Sequence, residues 1–134
     1  MEKNVKVLLV DDEVDFTESL AFWLKIKGYS VLTASNGQEA VQVVKEKSPD
    51  IVFLDIDMPV MDGVEALKRI REFNKDLPVI IVSAYIDDNR INQTRPYGTS
   101  GIFYKGEEFQ EALTLIEVAL RTHKKLKDKE TTQS

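Results

Sequence analysis

Four short apolar runs of this chain each end in residues that can do chemistry. Val5 to Val10 runs into Asp11, Asp12 and Glu13, and Ile51 to Leu54 runs into Asp55 and Asp57 within the segment IVFLDIDMPVMDG. Leu77 to Val82 ends at Ser83-Ala84, and Gly101 to Tyr104 ends at Lys105. Runs this short and rich in β-branched residues are buried strands, so the acids, the hydroxyl and the amine are delivered at strand carboxyl ends. Taken singly, each has an ordinary explanation: a solvated acid in an Asx turn for Asp55, a turn residue for Ser83, a solvent-facing ammonium for Lys105. Brought together they make a different object. Two carboxylates about 4 Å apart repel by about 4 kcal/mol at an effective dielectric near 20, so three of them either keep protons or bind a cation. Oxygen donors at an open edge suit Mg²⁺ (or Mn²⁺), which keeps waters that an incoming anion such as phosphate replaces.

For these residues to meet, the strands that carry them must run parallel, and the intervening sequence supplies the crossovers. From Asp15 the pattern turns helical, with Phe16, Leu20, Trp23 and Leu24 on one face and Gly28 closing the helix. Tyr29 to Ala34 reads as a second strand, followed by a helix from Asn36-Gly37 to Lys47-Ser48-Pro49. After the third strand, Met58-Pro59 delays the next helix, which is expected from Val64 to about Phe73 with Val64, Leu67 and Ile70 inward. Asp55 is expected exposed at the strand tip. The segment Tyr85 to Tyr97 holds few aliphatic residues and is cut by Pro96, which predicts only a short helix over Asp87 to Thr94. The last helix is expected from Glu107 to about Lys127, with Phe109, Leu113, Ile116 and Leu120 inward and Leu115, Val118 and Ala119 outside that stripe, available to a partner or a second copy. Five strand-then-helix units with strands apolar on both faces predict an α/β fold: a doubly wound, flavodoxin-like (βα)5 sheet of five parallel strands in the order 2-1-3-4-5. In that order the sheet's ligand crevice lies between strands 1 and 3, where Asp11, Asp12, Asp55 and Asp57 converge with Ser83 and Lys105.

Composition excludes several function classes. The chain has 134 residues, enough for one domain, which the pattern assigns to residues 1–127 with 128–134 as a disordered polar tail or truncated linker. A net charge of −5 argues against direct nucleic-acid or membrane binding, although Lys124 and Lys125 form part of a basic cluster near the end. The absence of cysteine removes thiolate metal sites and a Cys nucleophile. No signal peptide or membrane-length run is visible, so a cytoplasmic location is expected. His123, the one histidine, lies among Arg121, Lys124 and Lys125 and reads as a solvated side chain.

The set Asp11-Asp12, Asp55 with Met58-Pro59 and Met61-Asp62-Gly63, Ser83-Ala84 and Lys105 resembles the receiver domain of two-component response regulators over about Val5 to Leu120. The resemblance implies a phosphorylation-dependent switch in which Asp55 accepts a phosphoryl group from a histidine kinase or histidine phosphotransfer protein. It implies Mg²⁺ held by Asp12 and Asp55, by Asp11 through water and by the Asp57 backbone carbonyl. Lys105 would pair with the phosphoryl oxygens and Ser83 would move to meet them. Such a protein catalyses its own phosphorylation and slow autodephosphorylation rather than multiple turnover. Its signal would pass to a downstream partner, a lost output domain or a phosphorylation-dependent homodimer.

The chain departs from the family pattern on the signalling side. The aromatic expected three residues before the Lys is Ile102, and strand alternation sets Ile102 and Tyr104 on one face and Phe103 on the other. The usual Lys-Pro is Lys105-Gly106, for which a trans bond is expected because a non-proline cis bond costs about 2.5–4 kcal/mol. Asp57 and Tyr85, each two positions after a site residue, are expected to tune phosphate lifetime. Two alternatives remain: a haloacid-dehalogenase-type phosphatase using Asp55 and Asp57, and an interaction module of the same fold that is never phosphorylated.

Overall fold

The computed structural model describes residues 4–133, with side chains to residue 124. Strand β1 (Lys6–Val10), helix α1 (Val14–Ile26), β2 (Ser30–Ala34), α2 (Gly37–Lys47), β3 (Ile51–Asp55), α3 (Gly63–Phe73), β4 (Val79–Ser83), α4 (Asn89–Gln93), β5 (Gly101–Tyr104) and α5 (Phe109–Gln133) follow in alternation. The five strands are parallel in the order β2-β1-β3-β4-β5, as the sequence pattern predicts. Every residue of β3 and β4 is buried, the signature of central strands covered on both faces. One core packs Leu8, Leu54 and Ile81 against Ala40, Leu67 and Ile70 of α2 and α3. The opposite core packs Phe53, Val82 and Phe103 against Leu20 and Leu24 of α1 and Ile116 of α5. Ile102 and Tyr104 join the first core and Phe103 the second, the alternation expected of the strand.

Local chemistry fixes the helix starts. The Asn36 and Asp62 carboxamide and carboxylate oxygens accept from Glu39 N at 2.9 Å and Glu65 N at 3.0 Å, satisfying orphan donors of α2 and α3. At the end of α1 the chain turns through Gly28 at φ +100°, a conformation that favours glycine. The described residues contain no cis peptide bond, so Lys105-Gly106 is trans as expected.

Four expectations need correction. Asp55 is buried, 3% exposed, because the loops after β1, β3 and β5 close around the strand tip. On α5 the inward side chains are Ala112, Ile116 and Ala119, flanked by Phe109, Leu115 and Leu120, so Leu115 and Ala119 belong to the core and Leu113 does not. Both phases satisfy a helical period, and the two alanines let α5 approach the sheet. On α3, Ala66 rather than half-buried Val64 shares the inward face with Leu67 and Ile70. The α5 backbone continues past Lys127 to Gln133, through most of the segment expected as a tail, since no Gly or Pro interrupts it; side chains there lie outside the described residues.

Candidate functional site

Register decides which residues meet. Val10 pairs with Leu54, so the residues that follow them, Asp11 and Asp55, emerge side by side. Ser83 pairs with Tyr104, and Lys105 comes next. Carboxylate oxygens of Asp11, Asp12 and Asp55 lie within 4.8 Å of one another, with Asp11 and Asp55 buried and Asp12 exposed. Lys105 Nζ stands 2.9 Å from Asp11 Oδ2 and 3.4 Å from Asp55 Oδ2, and it also pairs with Glu13. The same ammonium lies 5.1 Å from the centroid of the Phe16 ring, whose face favours a cation. Two backbone amides fix the carboxylates: Glu13 N donates to Asp11 Oδ1 at 2.9 Å and Asp57 N to Asp55 Oδ1 at 3.1 Å.

These contacts set the electrostatics. Burial first, and then the charge of Asp11, push the Asp55 carboxyl up to about 7, against the opposing pull of the Asp57 amide and the Lys105 ammonium. Burial disfavours the Lys105 ammonium, but its contacts with Glu13 and Asp11 and the charge of Asp55 outweigh that and raise its pKa above the ordinary lysine value. Asp11 Oδ2 is buried and faces the Lys105 ammonium at 2.9 Å. Two buried carboxylates with a third, exposed one beside them form an all-oxygen donor set that fits a hard divalent cation such as Mg²⁺. Asp11, Asp12 and Asp55 therefore have the donor chemistry to hold one.

The remaining site residues are placed less uniformly. Asp55, Asp57, Ser83, Tyr85 and Lys105 wall one small cavity of about 40 Å³. Ser83 is buried, yet its hydroxyl donates to Tyr85 O at 2.7 Å and accepts from Tyr85 N at 3.1 Å, so it is turned into its own loop. The Asp57 side chain points away from the acid cluster and meets Arg90 Nη1 at 3.3 Å. Tyr85 is 66% exposed. Ile102 and Tyr104 are half-buried under the sheet edge and carry no polar contact to the acids among the described residues.

Sequence reasoning missed Glu13, Asp88 and Arg90. Glu13 was visible as the third acid after β1, but only the fold shows that Lys105 reaches it. Arg90 forks onto Asp88, with Nε to Oδ1 at 3.1 Å and Nη2 to Oδ2 at 2.8 Å, in a segment whose polarity gave no signal of contact.

A family model described as the response regulator receiver domain matches residues 7–117. Sporulation initiation phosphotransferase F of Bacillus subtilis is 34% identical over 108 residues, covering 81% of this chain and 87% of that protein. Transcriptional regulatory protein ZraR of Klebsiella oxytoca is 36% identical over 121 residues, which cover 90% of this chain but 27% of ZraR. The chain thus spans about a quarter of that regulator and most of the phosphotransferase. Among solved structures, NtrX from Brucella abortus superposes with a TM-score of 0.90 at 26% identity, over 98% of this chain and 30% of NtrX. A CheY-like receiver domain protein from Methanospirillum hungatei JF-1 shares the fold with a TM-score of 0.86 at 22% identity, over 92% of this chain and 98% of that one.

Proposed function

The chain belongs to the response regulator receiver domain family and is a phosphorylation-dependent signalling switch, and we propose that the switch is thrown at Asp55 by a phosphoryl group taken from a phosphohistidine. The donor is a histidine kinase or a histidine phosphotransfer protein. A carboxylate oxygen of Asp55 forms a bond to phosphorus as the P–N bond to the donor imidazole breaks, and the bonding electron pair leaves with the imidazole. A carboxylate is a weak nucleophile, so positioning and charge neutralisation carry the step. The observation that carries this reading is Asp55 itself, buried, within 4.8 Å of two other carboxylates and 3.4 Å from Lys105.

Each neighbour has a distinct task. The Asp57 amide holds one Asp55 oxygen in place. Lys105 is shared among three carboxylates and can give part of that pairing to phosphoryl oxygens. Ser83 must release the Tyr85 carbonyl to donate to the phosphoryl group, which links occupancy at Asp55 to the loop after β4. Asp12 and Asp55, Asp11 through water and the Asp57 backbone carbonyl would hold Mg²⁺, which would supply neutralisation of the charge that gathers during transfer. Tyr85 and the Asp57 side chain flank the cavity and tune the lifetime of the acyl phosphate.

The phosphatase alternative finds no support in these relatives. The chain phosphorylates and slowly dephosphorylates itself. Its output goes to a downstream protein, to an output domain such as those implied by the longer regulators it matches, or to a second copy. Among the described residues no helix is long and apolar enough to cross a membrane, and we place its work in the cytoplasm. Incubation with acetyl phosphate and Mg²⁺ followed by intact-mass measurement tests the reading: one phosphoryl group per wild-type chain supports it, and equal labelling of Asp55→Asn overturns it.

A further inference from the structure

Arg90 stands at the start of α4 and touches the loops after β3 and β4. Nε and Nη2 fork onto Asp88 Oδ1 and Oδ2 at 3.1 and 2.8 Å, while Nη1 reaches Asp57 Oδ1 at 3.3 Å and the Ile56 carbonyl at 3.4 Å. Asp88 also caps α4, accepting from Arg90 N at 3.0 Å. The two carboxylates that Arg90 bonds, Asp57 and Asp88, are walls of the small cavity over Asp55, and the Asp57 amide is bonded to Asp55 itself.

The two halves of this bridge are unequal. The Asp88 fork is bidentate, on a side chain only 11% exposed, whereas the Asp57 contact is single and its carboxylate is 73% exposed. Planar guanidinium-carboxylate forks hold their geometry, and lone exposed ion pairs are weak and screened by salt. Helix α4 buries Ile91 as its one apolar anchor among five residues, so ion pairing weighs heavily in where it sits. We propose that Arg90 is a second phosphoryl-directed cation of this site: when Asp55 is phosphorylated, its guanidinium stays forked on Asp88 and exchanges Asp57 for a phosphoryl oxygen, moving the start of α4. A phosphoryl group in the adjacent cavity carries more charge than the Asp57 carboxylate and accepts the same donor, so the exchange runs toward it. This gives the chain a polar route from phosphate to α4 that does not need an aromatic at Ile102. The inference rests on Asp55 being the phosphoacceptor.

Amide hydrogen exchange of residues 89–93, with and without acetyl phosphate and Mg²⁺, tests it when each response is divided by the labelled fraction from intact mass. Wild type is expected to change protection by at least about threefold per phosphoryl group, Arg90→Gln by less than about 1.5-fold, and Arg90→Lys, which keeps the charge without the fork, by an intermediate amount. Unphosphorylated Asp57→Asn, a change at an exposed carboxylate, should already show α4 exchange shifted toward the phosphorylated level. An Arg90→Gln response equal to wild type, or an Asp57→Asn α4 identical to wild type, would overturn the proposal. A labelled wild type with an unresponsive α4 removes the proposal alone, while a wild type that takes no label removes both it and the reading beneath it.

Discussion

A Cβ built on Gly63 would lie 2.4 Å from the carbonyl oxygen of Asp55 and 2.7 Å from Ile56 Cα. The first residue of α3 is thus pressed against the backbone at the end of β3, and Gly63 N donates to Ile56 O at 3.3 Å. No flexible side chain can yield there. Gly63→Ala is expected to push α3 off the strand end, lower stability by about 1–3 kcal/mol and slow labelling by acetyl phosphate. Urea unfolding and the labelling rate check the two effects, and an alanine variant of unchanged midpoint would contradict the close approach.

The acid cluster makes stability depend on pH. The folded Asp55 carboxyl holds its proton up to about 7, whereas its ordinary value is 3.8. Between those values the folded chain binds more protons than the unfolded one, so stability falls as pH rises from about 4 to about 7 and stays low above. Asp55→Asn removes that dependence. In chelator, the variant's advantage over wild type is expected to grow from pH 5 to pH 8, reaching at most about 4 kcal/mol. Added Mg²⁺ should narrow the gap at pH 8. Urea midpoints at several pH values check this; an advantage that shrinks with rising pH would have the wrong sign.

Much of this arrangement was legible before the fold, and the reason is physical. Apolar runs ending in acids, Ser83 and Lys105 identify strand tips, and the right-handed crossovers of a parallel sheet leave few orders in which those tips can meet. The cluster of Asp11, Asp12, Asp55 and Lys105 follows from that alone. What sequence does not carry is the direction of a polar side chain after a strand ends. Asp57 turns to Arg90, 33 residues away on another loop, and Ser83 turns to Tyr85, two residues on in its own loop. The inward phase of α5 was equally hidden, because its apolar residues satisfy two helical stripes and only contact with the sheet selects Ala112, Ile116 and Ala119.

Val60 stores strain in the loop after β3. It sits at φ +69° with 80% of its surface exposed, a left-handed conformation that crowds a β-branched side chain. With little packing to lose, Val60→Gly is expected to stabilise the chain by about 1 kcal/mol. Thermal and urea midpoints measure it, and a glycine variant less stable than wild type would show that Val60 makes contacts that outweigh its backbone cost.

The most direct test of the phosphoacceptor assignment is to locate the phosphoryl group. After acetyl phosphate and Mg²⁺, borohydride reduces an acyl phosphate of aspartate to homoserine, which peptide mass mapping can place in the sequence. Conversion at Asp55, absent from Asp55→Asn and from samples treated with chelator, is the expected result. Conversion at another residue, or none in a folded wild-type chain, would contradict the account.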